Sequence, residues 1–311
     1  MHQLALIFQL YPWSLWLSVA LLGLLVGSFL NVVIYRLPVM MEREWQQECN
    51  AYFNEQSSEQ NSDAQVLNPE LQSQKQTQQT QQTKFNLLLP RSACPACGHQ
   101  ITALENIPVL SWLCLRGKCR SCHTAISARY PSIELLSTLL SLVVAICVPY
   151  GIQLVSALIL TWCLIALTFI DIDKMLLPDQ ITLPLLWLGL LINVNYAWVS
   201  PTDAIIGAVV GYLSLWSVYW GFKLLTGKEG MGYGDFKLLA AFGAWFGWQS
   251  ILAIVLLSSF AGAIIGISQI ALKKQAKGNP IPFGPYLAIA GWMYLIYGDQ
   301  LVNFYLTNFV Y

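Results

Sequence analysis

Two aspartates stand where an apolar chain can least accommodate them. Asp171 closes the run TWCLIALTFI and opens DIDKMLLPD, and Asp235 closes the glycine-rich GMGYGD and opens a further apolar run. An ionisable side chain at bilayer depth costs about 2.5–3.5 kcal/mol or more, so its default reading is functional. Two carboxyl groups brought into one site share a proton. The ionised one takes a proton from water while its protonated neighbour polarises a carbonyl. That is aspartic-protease chemistry.

Neighbouring acids have simpler readings. Asp173 sits beside Lys174 and is read as solvated, whereas Asp171 directly follows the apolar run and is the deeper of the two. Asp179 follows Pro178 and suits an N-cap. Asp203 and Glu134 are read as helix-start carboxylates. Lys237 is two positions from Asp235 and does not share its helical face. Gly232 and Gly234 let the backbone bend and approach a substrate strand closely.

A second constellation is CPAC (Cys94, Cys97) and CRSC (Cys119, Cys122), two knuckles separated by 21 residues. This is close to the spacing of tetra-Cys zinc sites. Four thiolates close a tetrahedral zinc shell and leave no position for substrate, so the expected metal is structural Zn2+. His99 and His123 lie beside the knuckles and are expected to support the site. Cys49, Cys114, Cys147 and Cys163 lack pairing motifs and read as packing residues.

Other chemistries fail on residue types. The three histidines are His2, His99 and His123, and there is no HExxH for an intramembrane metalloprotease. A buried Ser–His dyad has no histidine to use. GFKLLTGKE lacks the phosphate-loop spacing, and no strand precedes GMGYGD as a dinucleotide loop requires.

The elements that position these groups are apolar. The 311 residues are 56% hydrophobic and 10% charged, where a soluble domain carries roughly 25% charged residues. Runs at 13–35, 132–150, 154–170, 180–198, 203–222, 236–249, 251–272 and 283–305 are read as eight spans, the sixth being short. Of the sixteen Lys and Arg, all but Lys237 then fall in segments 36–131, 171–179, 223–235 and 273–282, on one side. The positive-inside rule makes that side cytoplasmic and both termini periplasmic. Asp171 and Asp235 lie at its edge. A transporter with acidic proton relays is the rival class, but its acids belong at mid-bilayer. No removable signal peptide is expected, because the first span lacks a basic leader and is too long. GxxxG pairs at Gly207/Gly211, Gly243/Gly247 and Gly262/Gly266 mark close helix packing.

The expected fold is therefore an all-α polytopic membrane protein of about eight transmembrane helices. A small cytoplasmic zinc-knuckle domain sits between the first and second spans. The organisation is a first helix at 13–35, a cytoplasmic segment at 36–131 and a seven-helix membrane peptidase domain at 132–305. Within the cytoplasmic segment, 42–85 is read as a disordered Gln-rich insertion and 90–130 as the tetra-Cys domain. Membrane lipid is the expected surrounding, and nothing points to nucleic acid.

These motifs together resemble the type IV prepilin peptidases, bifunctional leader peptidase/N-methyltransferases of the GxGD intramembrane aspartic protease family. The resemblance rests on GSFLNVVIYRLP (27–38), the knuckle stretch from RSACPACGHQ to YPSIELLS (91–137), FIDIDKMLLPD (169–179), GMGYGDFKLLAAFGAWFGW (230–248) and IPFGPYLAIAGW (281–292). It implies Asp171 and Asp235 as the catalytic pair, with Gly232, Gly234, Pro178 and Asp179 in support. The implied substrates are type IV prepilins and type II secretion pseudopilins, cleaved at the cytoplasmic face of the bacterial inner membrane. It further implies methylation of the new N-terminus from S-adenosylmethionine, by the segment holding Glu105, Asn106, Gly117 and Lys118. The long insertion departs from the usual pattern without breaking a motif.

Overall fold

The computed structural model describes residues 11–60, 85–271 and 282–305. Among these the regular structure is helical: α1 (Pro12–Gln60), α2 (Leu110–Cys114), α3 (Arg129–Cys147), α4 (Ile152–Lys174), α5 (Asp179–Asn193), α6 (Pro201–Thr226), α7 (Tyr233–Phe246), α8 (Gln249–Ala271) and α9 (Gly284–Tyr305). A single 3-10 turn covers Leu104–Asn106. Among the described residues five stretches are long and apolar enough to cross a membrane: Pro12–Phe53, Arg129–Cys147, Ile152–Lys174, Pro201–Thr226 and Gln249–Ser268.

The chain divides into two units. One holds residues 1–31, 108–110 and 127–311, and the other 32–107 and 111–126. Residues 42–60, expected to be irregular, continue α1 as helix. MEREWQQECNA supplies Met, Glu, Gln and Ala, good helix formers that sustain a helix without a core beneath it. The rest of the expected insertion, 61–84, lies outside the described residues.

The larger unit is organised around α7. Every residue from Leu238 to Phe246 is buried, and a helix that is apolar all round belongs inside a bundle. Helices α5, α6, α8 and α9 all pack against it. Phe236, Phe242, Trp245, Leu160, Leu167, Leu185, Ile254 and Leu287 form the least exposed part of that core. The closest approach is between α6 and α7. A methyl group at Gly207 would overlap the Gly243 carbonyl, and one at Gly243 would overlap Gly207. The first two small-residue pairs of the sequence therefore meet each other, and Gly262 instead faces Tyr286.

Polar side chains fix the helix ends. Ser200 accepts the Asp203 N–H at 3.1 Å and donates to Asp203 Oδ2 at 2.7 Å, starting α6. Asn193, wholly buried at the end of α5, donates to the Ala244 and Trp245 carbonyls of α7 and accepts from the Trp198 and Val199 N–H groups. The Trp245 indole returns a bond to the Leu185 carbonyl at 2.8 Å.

In the smaller unit Arg36 is the organiser. Its guanidinium donates to the carbonyls of Asn86 (2.9 Å), Leu87 (3.4 Å) and Pro90 (2.7 Å). Asn86 Oδ1 accepts the N–H groups of Leu88 and Leu89, the side-chain-closed turn for which Asn is suited.

Candidate active site and metal centre

Helix α4 ends one turn past Asp171. Met175 adopts a left-handed conformation (φ 52°) and its N–H caps the Asp171 carbonyl at 2.8 Å. Helix α7 begins at Tyr233, with Gly232 extended as its N-cap, so Asp235 stands in its first turn. Both carboxyl groups are buried, at 5% and 6% exposure. They are near enough for the charge of Asp171 to be felt at Asp235. Asp171 Oδ2 accepts the backbone N–H of Gly284, the first residue of α9, at 3.0 Å. The Asp235 N–H donates to the Gly232 carbonyl at 3.3 Å. A side chain at Gly234 would press to 2.7 Å from Leu177, so this glycine lets α7 start close to the segment after α4.

The neighbouring acids are not free. Asp173 is held by Arg129 in a two-pronged pair of 2.9 and 2.6 Å, and Arg129 also covers the Phe169 ring. Asp173 is thus paired where solvation was expected. Asp179 is the first residue of α5 and makes no capping bond; the residue before it, Pro178, is the N-cap. Its carboxylate instead accepts Lys237 at 2.6 and 2.7 Å. The capping role is corrected by a cation 58 residues away in sequence. Glu134 is likewise no helix-start carboxylate. It is buried well inside α3 and accepts the N–H of Val109 at 2.7 Å, holding a residue of positive φ (60°) in place. Among the described residues Asp171 and Asp235 have no ion-pair partner.

Gly284 went unassigned in the sequence because its contribution is a backbone N–H, a group that nearly every residue carries. Its one signal is a glycine between Phe283 and Pro285. A side chain there would place Cβ 2.6 Å from Asp171 Oδ2.

The four knuckle thiols converge, with all ligand atoms within 4.8 Å of one another. Cys94 and Cys122 sulfurs are 3.7 Å apart. Thiolates on a tetrahedral zinc at about 2.3 Å would be separated by roughly 3.8 Å, so this donor set fits Zn2+. The two halves repeat one design. Cys94 N–H bonds His99 O and Gly98 N–H bonds Cys94 O; Cys119 N–H bonds Thr124 O and His123 N–H bonds Cys119 O. The residue after each second cysteine must turn left-handed, and Gly98 (φ 71°) and His123 (φ 56°) do so. Bridges Ala93–Gln100 and Lys118–Ala125 close each loop. The Thr124 hydroxyl, 3.2 Å from Cys122 Sγ, and the Thr124 backbone pull that thiol down to about 6.

Of the residues implied in methyl transfer, Glu105 is committed locally. It accepts the Thr102 N–H (2.9 Å) and hydroxyl (3.0 Å), meets His99 at 3.2 Å and lies 3.8 Å from Arg120. The Thr102 N–H, ahead of its hydroxyl and His99, holds this carboxyl below its usual range. His99 thus serves Glu105. Gly117 (φ 67°) packs its backbone on the Trp112 ring, where a side chain would come within 2.9 Å. Lys118 is exposed in the second knuckle. Asn106 lines a separate cleft.

Comparison with known proteins agrees with this arrangement. Residues 21–148 match the bacterial peptidase A24 N-terminal domain, and residues 158–267 match the type IV leader peptidase family. A prepilin leader peptidase/N-methyltransferase of Aeromonas hydrophila is 58% identical over 299 residues, 96% of each chain. Proteins of the same name from Pseudomonas aeruginosa and Dichelobacter nodosus are 53% and 51% identical, over 95% of each chain and over 91% and 92% respectively. No solved structure matches the chain. With both family domains in order and relatives aligned over nearly the full length, the chain belongs to the type IV leader peptidase family.

Proposed function

We propose that the chain is a prepilin leader peptidase and N-methyltransferase whose catalytic pair is Asp171 and Asp235. One observation carries the assignment of the pair. Four carboxylates stand at the end of α4 and at the starts of α5 and α7, and two of them, Asp173 and Asp179, are paired with Arg129 and Lys237. The other two are buried, close, and without a cation. Like charges so placed cannot both ionise near neutral pH, which leaves one base and one acid.

In the reaction the ionised aspartate removes a proton from water as it attacks the scissile carbonyl. The protonated aspartate donates to the carbonyl oxygen, and the proton inventory reverses as the amine leaves. The Gly284 N–H orients one carboxylate throughout. Gly232 and Gly234, with Pro178 and Asp179, shape the backbone beside the pair.

Eight crossings place both aspartates at the cytoplasmic edge of the inner membrane, with both termini periplasmic; the distribution of Lys and Arg supports this. The substrates on this reading are type IV prepilins and type II secretion pseudopilins. Cys94, Cys97, Cys119 and Cys122 would hold Zn2+, which would stabilise the knuckles and take no part in the cleavage. S-adenosylmethionine supplies the methyl group when bound. The segment containing Glu105, Asn106, Gly117 and Lys118 is assigned to that second step.

The test uses the purified protein in lipid with a prepilin and S-adenosylmethionine. Asp171→Asn and Asp235→Asn should each abolish leader removal while metal content and melting stay unchanged. Wild type should also yield a product heavier by one methylene unit. Cleavage by either variant at the wild-type rate rejects the pair.

A further inference from the structure

The bridge from α4 to α5 is the short segment Met175–Pro178. Met175 stops α4 in a left-handed conformation (φ 52°), and Pro178 is extended (φ −63°, ψ 130°) as it starts α5. Met175 and Leu176 face outward, whereas Leu177 is 7% exposed. Its side chain goes between two glycines. A methyl group at Gly234 would stand 2.7 Å from Leu177 Cβ, and one at Gly284 would stand 3.1 Å from Leu177 Cδ2. Gly234 directly precedes Asp235. Gly284 donates its N–H to Asp171 Oδ2 at 3.0 Å. One apolar side chain therefore packs against the backbone beside each aspartate.

The two carboxyl groups come from different helices, and like charges push apart. Close packing is what resists such a shift, because a wedged side chain neither compresses nor leaves a gap. Leu177 is also held from behind. It belongs to the same buried cluster as Phe236 and Leu287. The chain is pinned on both sides of it, by Asp173 on Arg129 of α3 at 2.6 and 2.9 Å and by Asp179 on Lys237 of α7 at 2.6 and 2.7 Å. Lys237 stands two residues past Asp235, so the second pin ties the bridge to the helix that carries that aspartate.

We propose that Leu177 is a positioning residue for leader cleavage: wedged between Gly234 and Gly284, it sets the separation of Asp171 and Asp235. It touches no reacting atom and acts through the two glycine backbones. A shorter side chain leaves room into which Gly284 and the start of α7 can settle, and the Gly284 N–H then no longer holds Asp171 at the working distance from Asp235. This rests on the assignment of Asp171 and Asp235 as the catalytic pair.

Cleavage of a prepilin is measured on the full chain in lipid for wild type, Leu177→Ala, Leu177→Val, Leu177→Met, Gly284→Ala and the double variant Leu177→Ala/Gly284→Ala. Metal content and melting control for folding. A misplacement of about 1 Å costs roughly 100-fold in rate, so kcat of Leu177→Ala should fall by about that factor with KM little changed. Leu177→Val should lose less. Leu177→Met keeps approximate volume and should restore kcat to within a few-fold of wild type. Residues acting at one point give non-additive losses, so the double variant should be no slower than the slower single variant. A merely structural role would give losses that multiply, and methionine would not rescue kcat selectively. Wild-type kcat in folded Leu177→Ala overturns the proposal, as do multiplying losses. If the alanine variant does not fold, wild-type kcat in Leu177→Val overturns it instead. Asp171→Asn and Asp235→Asn are run alongside. If either cleaves, the catalytic pair falls and this proposal with it; if both are inactive while Leu177→Ala or Leu177→Val cleaves like wild type, only this proposal falls.

Discussion

The backbone N–H of Gly284 donates to Asp171 Oδ2 at 3.0 Å, joining the first residue of α9 to the last turn of α4 across 113 positions of sequence. The contact is possible because residue 284 has no side chain. A Cβ there would stand 2.6 Å from Oδ2 and 3.1 Å from Leu177 Cδ2. Gly284→Ala must therefore move the carboxylate. A misplacement of about 1 Å at a reacting group costs roughly 100-fold in rate, so kcat for leader removal should fall by about that factor. KM should change little and the melting temperature should hold. A kcat within a few-fold of wild type would show that the orientation given by this N–H is dispensable.

Asp171 and Asp235 are expected to act as one unit. Residues that do so give strongly non-additive losses, each single change costing nearly as much as both. The double variant Asp171→Asn/Asp235→Asn should therefore be no slower than either single variant. Single-turnover cleavage measures this directly. Losses that multiply would mean that each aspartate contributes on its own.

The burial of both aspartates was legible in the sequence because an acid at the end of an apolar run has few alternatives. The thiol cluster was legible because CxxC spacing dictates local geometry. What could not be read were partners set by the tertiary fold. Asp179 looks like an N-cap until Lys237 arrives from α7, and Glu134 looks like a helix-start charge until Val109 arrives to use it. The small-residue pairs at Gly207 and Gly243 announced close approach but not that they approach each other. Residues 42–60 were read as irregular from polarity alone, although their helix propensity pointed the other way.

Metal removal gives a chemically ordered prediction. Thr124 pulls the Cys122 thiol down to about 6, so in metal-free protein at neutral pH this sulfur is mostly thiolate. Cys122 should be the first knuckle cysteine alkylated by iodoacetamide after chelation, and bound Zn2+ should protect all four. Thr124→Val removes the hydroxyl donor and should slow Cys122 alkylation in the stripped protein. Peptide mass mapping of timed samples tests both. If Cys97 reacts first, or the valine variant reacts as fast, the Thr124 hydroxyl does not set the thiolate.

Asn193 tests how the membrane unit holds its central helix. Its amide makes four hydrogen bonds in a site with no exposure, two to α7 carbonyls and two from the Trp198 and Val199 N–H groups. The two carbonyls lie in the last turn of α7, and an under-satisfied carbonyl is tolerated better than an orphaned N–H. The two N–H groups have no such reserve. Leaving a buried donor unpaired costs about 1–3 kcal/mol, so Asn193→Leu, which keeps approximate volume, should destabilise by roughly 2–4 kcal/mol. Asn193→Asp retains the acceptor for both N–H groups but turns a charge toward the Ala244 and Trp245 carbonyls, so it should also destabilise. Thermal unfolding in one detergent, with wild type as reference, ranks the three. Leucine equal to wild type would mean that α5 and α7 are held by apolar packing around Trp245 alone, with the polar latch contributing nothing to stability.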